Sequence, residues 1–228
     1  FFDCRFVLTE PEKKQAEFLE GHLPGAMYAH LNHDLASPPI LGKTGRHPLP
    51  KIEDLTKTFS EWGINPSNQV VIYDDTGGIY AARLWWMLRW LGHNAVAVMD
   101  GGWTRWVKEE RPVSADIFLP ETVKFCVSLQ EHLSVSADDV LNYIDNPEVR
   151  VFDARSRERF CGENETLDPV AGHIPSAVSS PFDGNLDSDG NWKSKPALRK
   201  MYLELLNGLS ADQTVTYCGS GITACHNI

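Results

Sequence analysis

One cysteine stands where the sequence passes from strand to loop. Thr214-Val215-Thr216-Tyr217 is a β-rich run that delivers Cys218 into Gly219-Ser220-Gly221, and Ile222-Thr223-Ala224-Cys225 then reads as the start of a helix. Loop N–H groups and the positive end of that helix would converge on the sulfur and favour thiolate over thiol. The flanking glycines let the backbone come close to it. The chemistry this arrangement suits is nucleophilic attack with a covalent intermediate.

Competing chemistries fit less well. A cysteine-based protein phosphatase of the tyrosine-phosphatase or dual-specificity kind closes its loop with an arginine six positions after the nucleophile, and here that position is Ala224, so a phosphoryl dianion lacks its bidentate clamp. Gly219-Ser220-Gly221 does not have the spacing of a serine nucleophile elbow. Asn185-Leu186-Asp187-Ser188-Asp189-Gly190 imitates the first half of an EF-hand loop, but Pro196 stands where the bidentate Glu belongs, so a surface turn is expected. His30-Leu31-Asn32-His33-Asp34 lacks further metal ligands in register, and there is no cofactor box; no metal and no cofactor are expected. The cysteines, at 4, 126, 161, 218 and 225, form no CxxC pair, which argues against a zinc site or a disulfide framework. Cys225 is expected to be a small packed helix residue.

The chain repeats itself. Val70-Val71-Ile72-Tyr73-Asp74-Asp75-Thr76-Gly77-Gly78-Ile79-Tyr80-Ala81 has the order of the Cys218 segment, with Asp74 where the second copy has the thiol and with one extra loop residue. Phe2-Asp3-Cys4-Arg5 followed by Gly21-His22-Leu23-Pro24 recurs as Phe152-Asp153-Ala154-Arg155 followed by Gly172-His173-Ile174-Pro175. Landmarks in one order at nearly one spacing mean two tandem copies of one domain. His22 and His173 occur in both copies while the thiol occurs in one, so a structural role is expected for them, and Asp3/Arg5 and Asp153/Arg155 are expected to be ion pairs of the domain frame. Arg159 is different: its counterpart is Thr9, and a cation present only beside the competent thiol is a candidate for holding an anionic substrate.

Asp153 to Phe160, the Gly-His-Ile-Pro stretch, Cys218-Gly219-Ser220-Gly221 through His226, Gly92-His93 and the turn Asp100-Gly101-Gly102-Trp103 together resemble the two-domain rhodanese superfamily of sulfurtransferases. The loop is most similar to the 3-mercaptopyruvate sulfurtransferase branch. The resemblance implies a persulfide on Cys218 formed from a small anionic donor, 3-mercaptopyruvate or thiosulfate. The sulfur would then pass to cyanide, a small thiol or a protein thiol such as a thioredoxin-like partner. It implies that the main chain of Gly219, Ser220, Gly221, Ile222 and Thr223 binds the persulfide and that Arg159 holds the donor. His47, with Asp34 beside it in the first copy, would couple to Ser220. The second arginine of the branch is replaced by Asp168, which would weaken the grip on a carboxylate. The first copy is expected to be non-catalytic, with Asp74 and Asp75 repelling anions. A persulfide carrier or regulatory binding module that accepts sulfur from a dedicated donor without turning over a free metabolite is the alternative.

These residues need elements to position them. Helices are expected over 53–62, 79–91 and 101–110, strands over 70–73, 95–99 and 149–152, and Ser136 is placed to cap a helix running to Ile144. Alternation of short apolar strands with helices implies an α/β fold, each domain a central parallel sheet flanked by helices on both faces. The domains are read as 1–115 and 134–228, joined by a linker at 116–133 in which Val123–Val127 could pair with a sheet. Applied to Cys218, the first copy's spacing puts a further strand, turn and helix at roughly 240–255, so the 228 residues are expected to be an internal portion of a longer polypeptide, with an incomplete second domain. A hydrophobic content of 42% fits globular domains, no apolar run reaches membrane-spanning length, and a net charge of −10 disfavours nucleic acid and anionic membrane. A reducing, cytoplasmic setting suits a working thiol.

Overall fold

The computed structural model describes residues 1–228. They divide into two compact units, Phe1–Glu131 and His132–Ile228. In the first, β1 (Phe2–Asp3), β2 (Met27–Tyr28), β3 (Val70–Tyr73) and β4 (Val96–Val98) form one parallel sheet in the order β2-β1-β3-β4. Parallel neighbours need crossovers, which α1 (Lys13–Glu20), α2 (Ile52–Glu61) and α3 (Ile79–Trp90) provide, and α4 (Gly102–Lys108) follows the last strand. Ile72 and Tyr73 of β3 are fully buried, as are Leu84, Met87 and Leu88 of α3. A helix apolar on nearly all sides belongs inside, and α3 is the packed spine of this unit.

The second unit repeats the plan with α5 (Ala137–Tyr143), β5 (Arg150–Asp153), α6 (Arg157–Cys161), β6 (Val178–Ser179), α7 (Lys195–Leu206), β7 (Thr214–Tyr217) and α8 (Thr223–His226). Its parallel sheet has the order β6-β5-β7, so the chain leaves β5 to one side and returns on the other. The crevice at the carboxyl ends of β5 and β7, where that reversal falls, is where an open α/β sheet presents its loops to ligands. Ser136 caps α5, accepting from Asp139 N, while Asp139 accepts from Ser136 N in a complete capping box.

The 123–127 stretch joins no sheet. Val123 N donates to Ser60 O at 3.0 Å, Phe125 is buried edge-on against Phe59, and Ser128 N donates to Leu91 O, so the backbone from 123 to 130 runs along α2 and the end of α3 in the first unit. The Asp100-Gly101-Gly102-Trp103 turn has a steric cause. Gly102 has φ +47, and a Cβ there would collide with the carbonyl oxygen of Asp74, to which Trp103 N donates at 2.8 Å. No helix is long and apolar enough to cross a membrane.

Candidate active site

The repeat extends to side chains. In the first unit Arg5 Nη2 pairs with Asp3 at 2.7 Å and donates to Gly21 O, and Tyr73 OH donates to Asp3 Oδ2 while accepting from Leu23 N. In the second, Arg155 Nη2 pairs with Asp153 at 2.6 Å and donates to Gly172 O, and Tyr217 OH accepts from Ile174 N. Both aspartates are fully buried, and each ion pair clamps the Gly-His turn to the end of the central strand. The histidines of those turns are structural supports. His22 stacks on Phe18 and lies 2.7 Å from Phe18 O, and His173 stacks on Phe160 and lies 2.8 Å from Phe160 O.

Cys218 follows β7 directly and is half-buried. Its Sγ accepts from Gly221 N at 3.1 Å and from Ser220 N at 3.5 Å. The turn needed for this puts Gly221 at φ +71, a conformation open to glycine at little cost. Gly219 separates Cys218 from Ser220, Ile222 is buried at the entrance to α8, and Thr223 begins that helix. Cys225 is buried and donates its S–H to Gly221 O at 3.1 Å, so it fastens the loop as well as filling space.

Behind the loop lies a network with no sequence signature of its own. Asn185 is 1% exposed. Its Nδ2 donates to Asn227 Oδ1 at 2.9 Å and to His226 O at 3.2 Å and lies 3.1 Å from His226 Nδ1, while its Oδ1 accepts from Tyr202 OH. His226 is stacked on Trp192 at 4.1 Å, and Asn227 Nδ2 donates to Ser180 O. These bonds lock α8 to β6 and α7. The EF-hand look-alike is part of the same support: Asp187 Oδ1 accepts from Asp189 N and Asn191 N, closing a turn that leads into Trp192.

Arg159 is placed on α6 and is engaged by two carboxylates. Its Nε donates to Glu165 Oε2 at 2.9 Å and Oε1 at 3.1 Å, and its Nη2 pairs with Asp168 Oδ2 at 2.5 Å. Glu165 has no counterpart in the first copy, so nothing in the sequence pattern singles it out. Burial pushes its carboxyl up, but hydrogen bonds from Arg159, Asp168 N and Leu167 N outweigh that and hold it down at about 2.

In the first unit the loop contains a carboxylate instead of a thiol. Asp74 Oδ1 accepts from Thr76 N at 2.9 Å and Gly78 N at 2.8 Å, and Oδ2 from Tyr80 N at 2.8 Å and Ala81 N at 3.0 Å. The two loop-tip carboxylates expected to repel anions, Asp74 and Asp75, are both already engaged. Asp74 is buried inside its own cradle of amides, and Asp75 is paired with Lys14 at 2.7 Å. Among the residues expected to support the site, Asp34 Oδ2 accepts from His30 N at 2.7 Å, and His47 is buried. Burial, then the Arg83 and Arg46 cations, push the His47 imidazole down to about 4, so it is neutral at neutral pH. Arg83 Nη2 donates to both Leu35 O and His47 O, and Ser37 N to Pro48 O, which brings the Asp34 and His47 segments together.

Glu12 joins His30 and His33 in a cluster whose ligand atoms lie within 4.8 Å of one another. His30 Nδ1 accepts from Asn32 N at 3.1 Å, so the neutral ring carries its hydrogen on Nε2 and offers no lone pair toward Glu12 and His33. A tautomer change would be needed before that cluster could bind a metal.

The rhodanese-like domain model matches residues 1–109 and 136–227. A Pseudomonas aeruginosa protein named "Probable 3-mercaptopyruvate sulfurtransferase" is 40% identical over 227 residues, covering 99% of this chain and 80% of that protein. The thiosulfate sulfurtransferase of Gallus gallus is 34% identical over 222 residues, covering 95% of this chain and 74% of its own length. The solved 3-mercaptopyruvate sulfurtransferase of Leishmania major superposes with a TM-score of 0.87 at 27% identity, covering all of this chain and 63% of that one. With duplicated units that agree down to their buried ion pairs, and with family matches in both, the chain belongs to the rhodanese family of sulfurtransferases, as two rhodanese-like domains in tandem.

Proposed function

We propose that the second domain transfers sulfur through Cys218 by a ping-pong route. The observation that carries this reading is the pair of amide N–H groups, Ser220 and Gly221, directed at Sγ from a loop otherwise empty of charged side chains. The Cys218 thiolate attacks the thiol sulfur of 3-mercaptopyruvate, the S–S bond forms as the C–S bond breaks, and the electron pair leaves as pyruvate enolate, which takes up a proton. Cys218 then bears a persulfide, whose anion is stabilised by the same amides. An acceptor thiolate or cyanide removes the terminal sulfur and regenerates the thiolate. With thiosulfate the leaving group is sulfite and no proton is needed.

The neutral Gly219 and Ser220 favour the carboxylate donor, because a compact dianion is best held by close positive charge, which this loop lacks. The names of the Pseudomonas and Gallus relatives span both donors. Arg159 is the cation assigned to the donor. Within the first domain Arg83 ties the Asp34 and His47 segments together, and His47 is neutral. A cytosolic thiol acceptor, small or thioredoxin-like, suits a chain whose cysteines are all free.

The test is direct. Incubation with 3-mercaptopyruvate is expected to add the mass of one sulfur atom to Cys218 in the peptide map, and Cys218→Ser is expected to abolish both that adduct and turnover with either donor. Turnover by the serine variant would overturn the assignment. A single stoichiometric transfer without recycling would instead favour the persulfide carrier.

A further inference from the structure

Arg159 meets its two carboxylates on different terms. Glu165 has a side chain 2% exposed, also receives Arg155 Nη1 at 3.3 Å, and accepts Leu167 N and Asp168 N on Oε1 at 2.9 Å each. It anchors the turn from 165 to 168 and cannot leave without stranding a buried charge. Asp168, at the far end of that turn, has a side chain 21% exposed and reaches back to Arg159 Nη2. Turning it toward water costs far less. The immediate cluster contains Arg155 and Arg159 against Asp153, Glu165 and Asp168, an excess of one negative charge. A guanidinium this well matched is a poor attractor for a free anion.

We propose that Asp168 is a specificity-determining residue: its carboxylate is a tethered competitor for the edge of Arg159 that a donor's carboxylate would use. The inference rests on the assignment of Arg159 to donor binding made above. A donor whose carboxylate lies away from its sulfur must first displace Asp168, and its apparent affinity falls by the fraction of protein in which Arg159 is released. A donor recognised through the Cys218 loop alone carries no such penalty. Asp168 therefore shifts preference away from carboxylate donors and toward donors held at the sulfur itself. It acts on binding and not on the reacting atoms.

Steady-state kinetics of the whole chain with Asp168→Asn tests this. KM for 3-mercaptopyruvate is expected to fall roughly two- to fivefold, the range for release of an ion pair with solvent access, with the change on KM rather than kcat and a smaller change for thiosulfate. Pyruvate, an unreactive carboxylate, is expected to bind the Cys218→Ser protein more tightly by a similar factor when Asp168→Asn is added, as read by calorimetry without turnover. Asp168→Ser serves where the asparagine variant fails to fold. An unchanged or raised KM together with unchanged pyruvate affinity overturns the proposal. Arg159→Ala separates the two levels. If it weakens 3-mercaptopyruvate and pyruvate while Asp168→Asn and Asp168→Ser do nothing, the competitor idea alone falls; if it weakens neither, the assignment of Arg159 to the donor falls, and the competitor with it.

Discussion

Asn185 Nδ2 lies 3.1 Å from His226 Nδ1 and 3.2 Å from His226 O, so a fully buried amide fastens the helix that follows the Cys218 loop. The amides aimed at the sulfur are only as well placed as that helix. Asn185→Ala would leave the Tyr202 hydroxyl and the His226 carbonyl without this partner. It is expected to cost about 2–3 kcal/mol of stability by denaturant unfolding. It should also lower kcat/KM roughly tenfold at temperatures where the variant is still fully folded by circular dichroism, a readout that loss of stability alone would not move.

Arg159→Ala is expected to cost about 1.5–3 kcal/mol in kcat/KM for 3-mercaptopyruvate, the loss of a charged hydrogen bond. Because Glu165 loses its main partner in the same variant, the thermal midpoint should fall too. Arg159→Lys should restore part of the stability and little of the donor affinity, since an ammonium cannot replace the planar fork.

Acid should destabilise the protein in two steps. His47 sits near 4 in the folded chain against an ordinary histidine value of about 6.5, so the folded form resists its protonation and stability is lost as pH falls from about 6.5 toward 4. Glu165, at about 2 against an ordinary value of about 4.3, contributes stability that is present above about 4.3 and lost as pH falls toward 2. Urea unfolding at stepped pH is expected to show both windows, and His47→Gln should shrink the upper one, to which buried His30, also pushed down by burial, contributes.

Ser176 has φ +66 in the turn where the first unit has Gly25 at φ +72. A side chain is disfavoured there, so Ser176→Gly is expected to stabilise the protein by about 0.5–1 kcal/mol in thermal unfolding. The reciprocal Gly25→Ser should destabilise it by a similar amount.

Repetition made much of this molecule legible. Tyr73 and Tyr217, the Asp-x-Arg pairs and the Gly-His turns each appear twice, and a feature seen twice at one spacing is hard to mistake; both the strand that ends at Tyr217 and the loop after it follow from that. What lay outside the repeat was harder to read. Glu165 and Asp168 interact with Arg159 through a turn that has no counterpart in the first copy, and the Asn185 network joins residues 41 and 42 positions apart, a separation that leaves no local pattern. The 123–127 run is strand-like in composition, yet its hydrogen bonds go to Ser60, because packing Phe125 on Phe59 decides where that segment lies.

Asp74 can also be viewed as a permanent stand-in for the charged product of half a turnover. A carboxylate places its oxygens one bond beyond Cγ, much as a persulfide places its terminal sulfur one bond beyond Sγ, and around Asp74 the amide donors number four, against two on the bare thiol of Cys218. The first domain thus displays how tightly such a loop winds once an anion fills it. Loading sulfur onto Cys218 should draw its own loop the same way, so the persulfidated protein should melt higher and exchange its 219–223 amides more slowly than the resting thiol, a memory of the donor stored as rigidity.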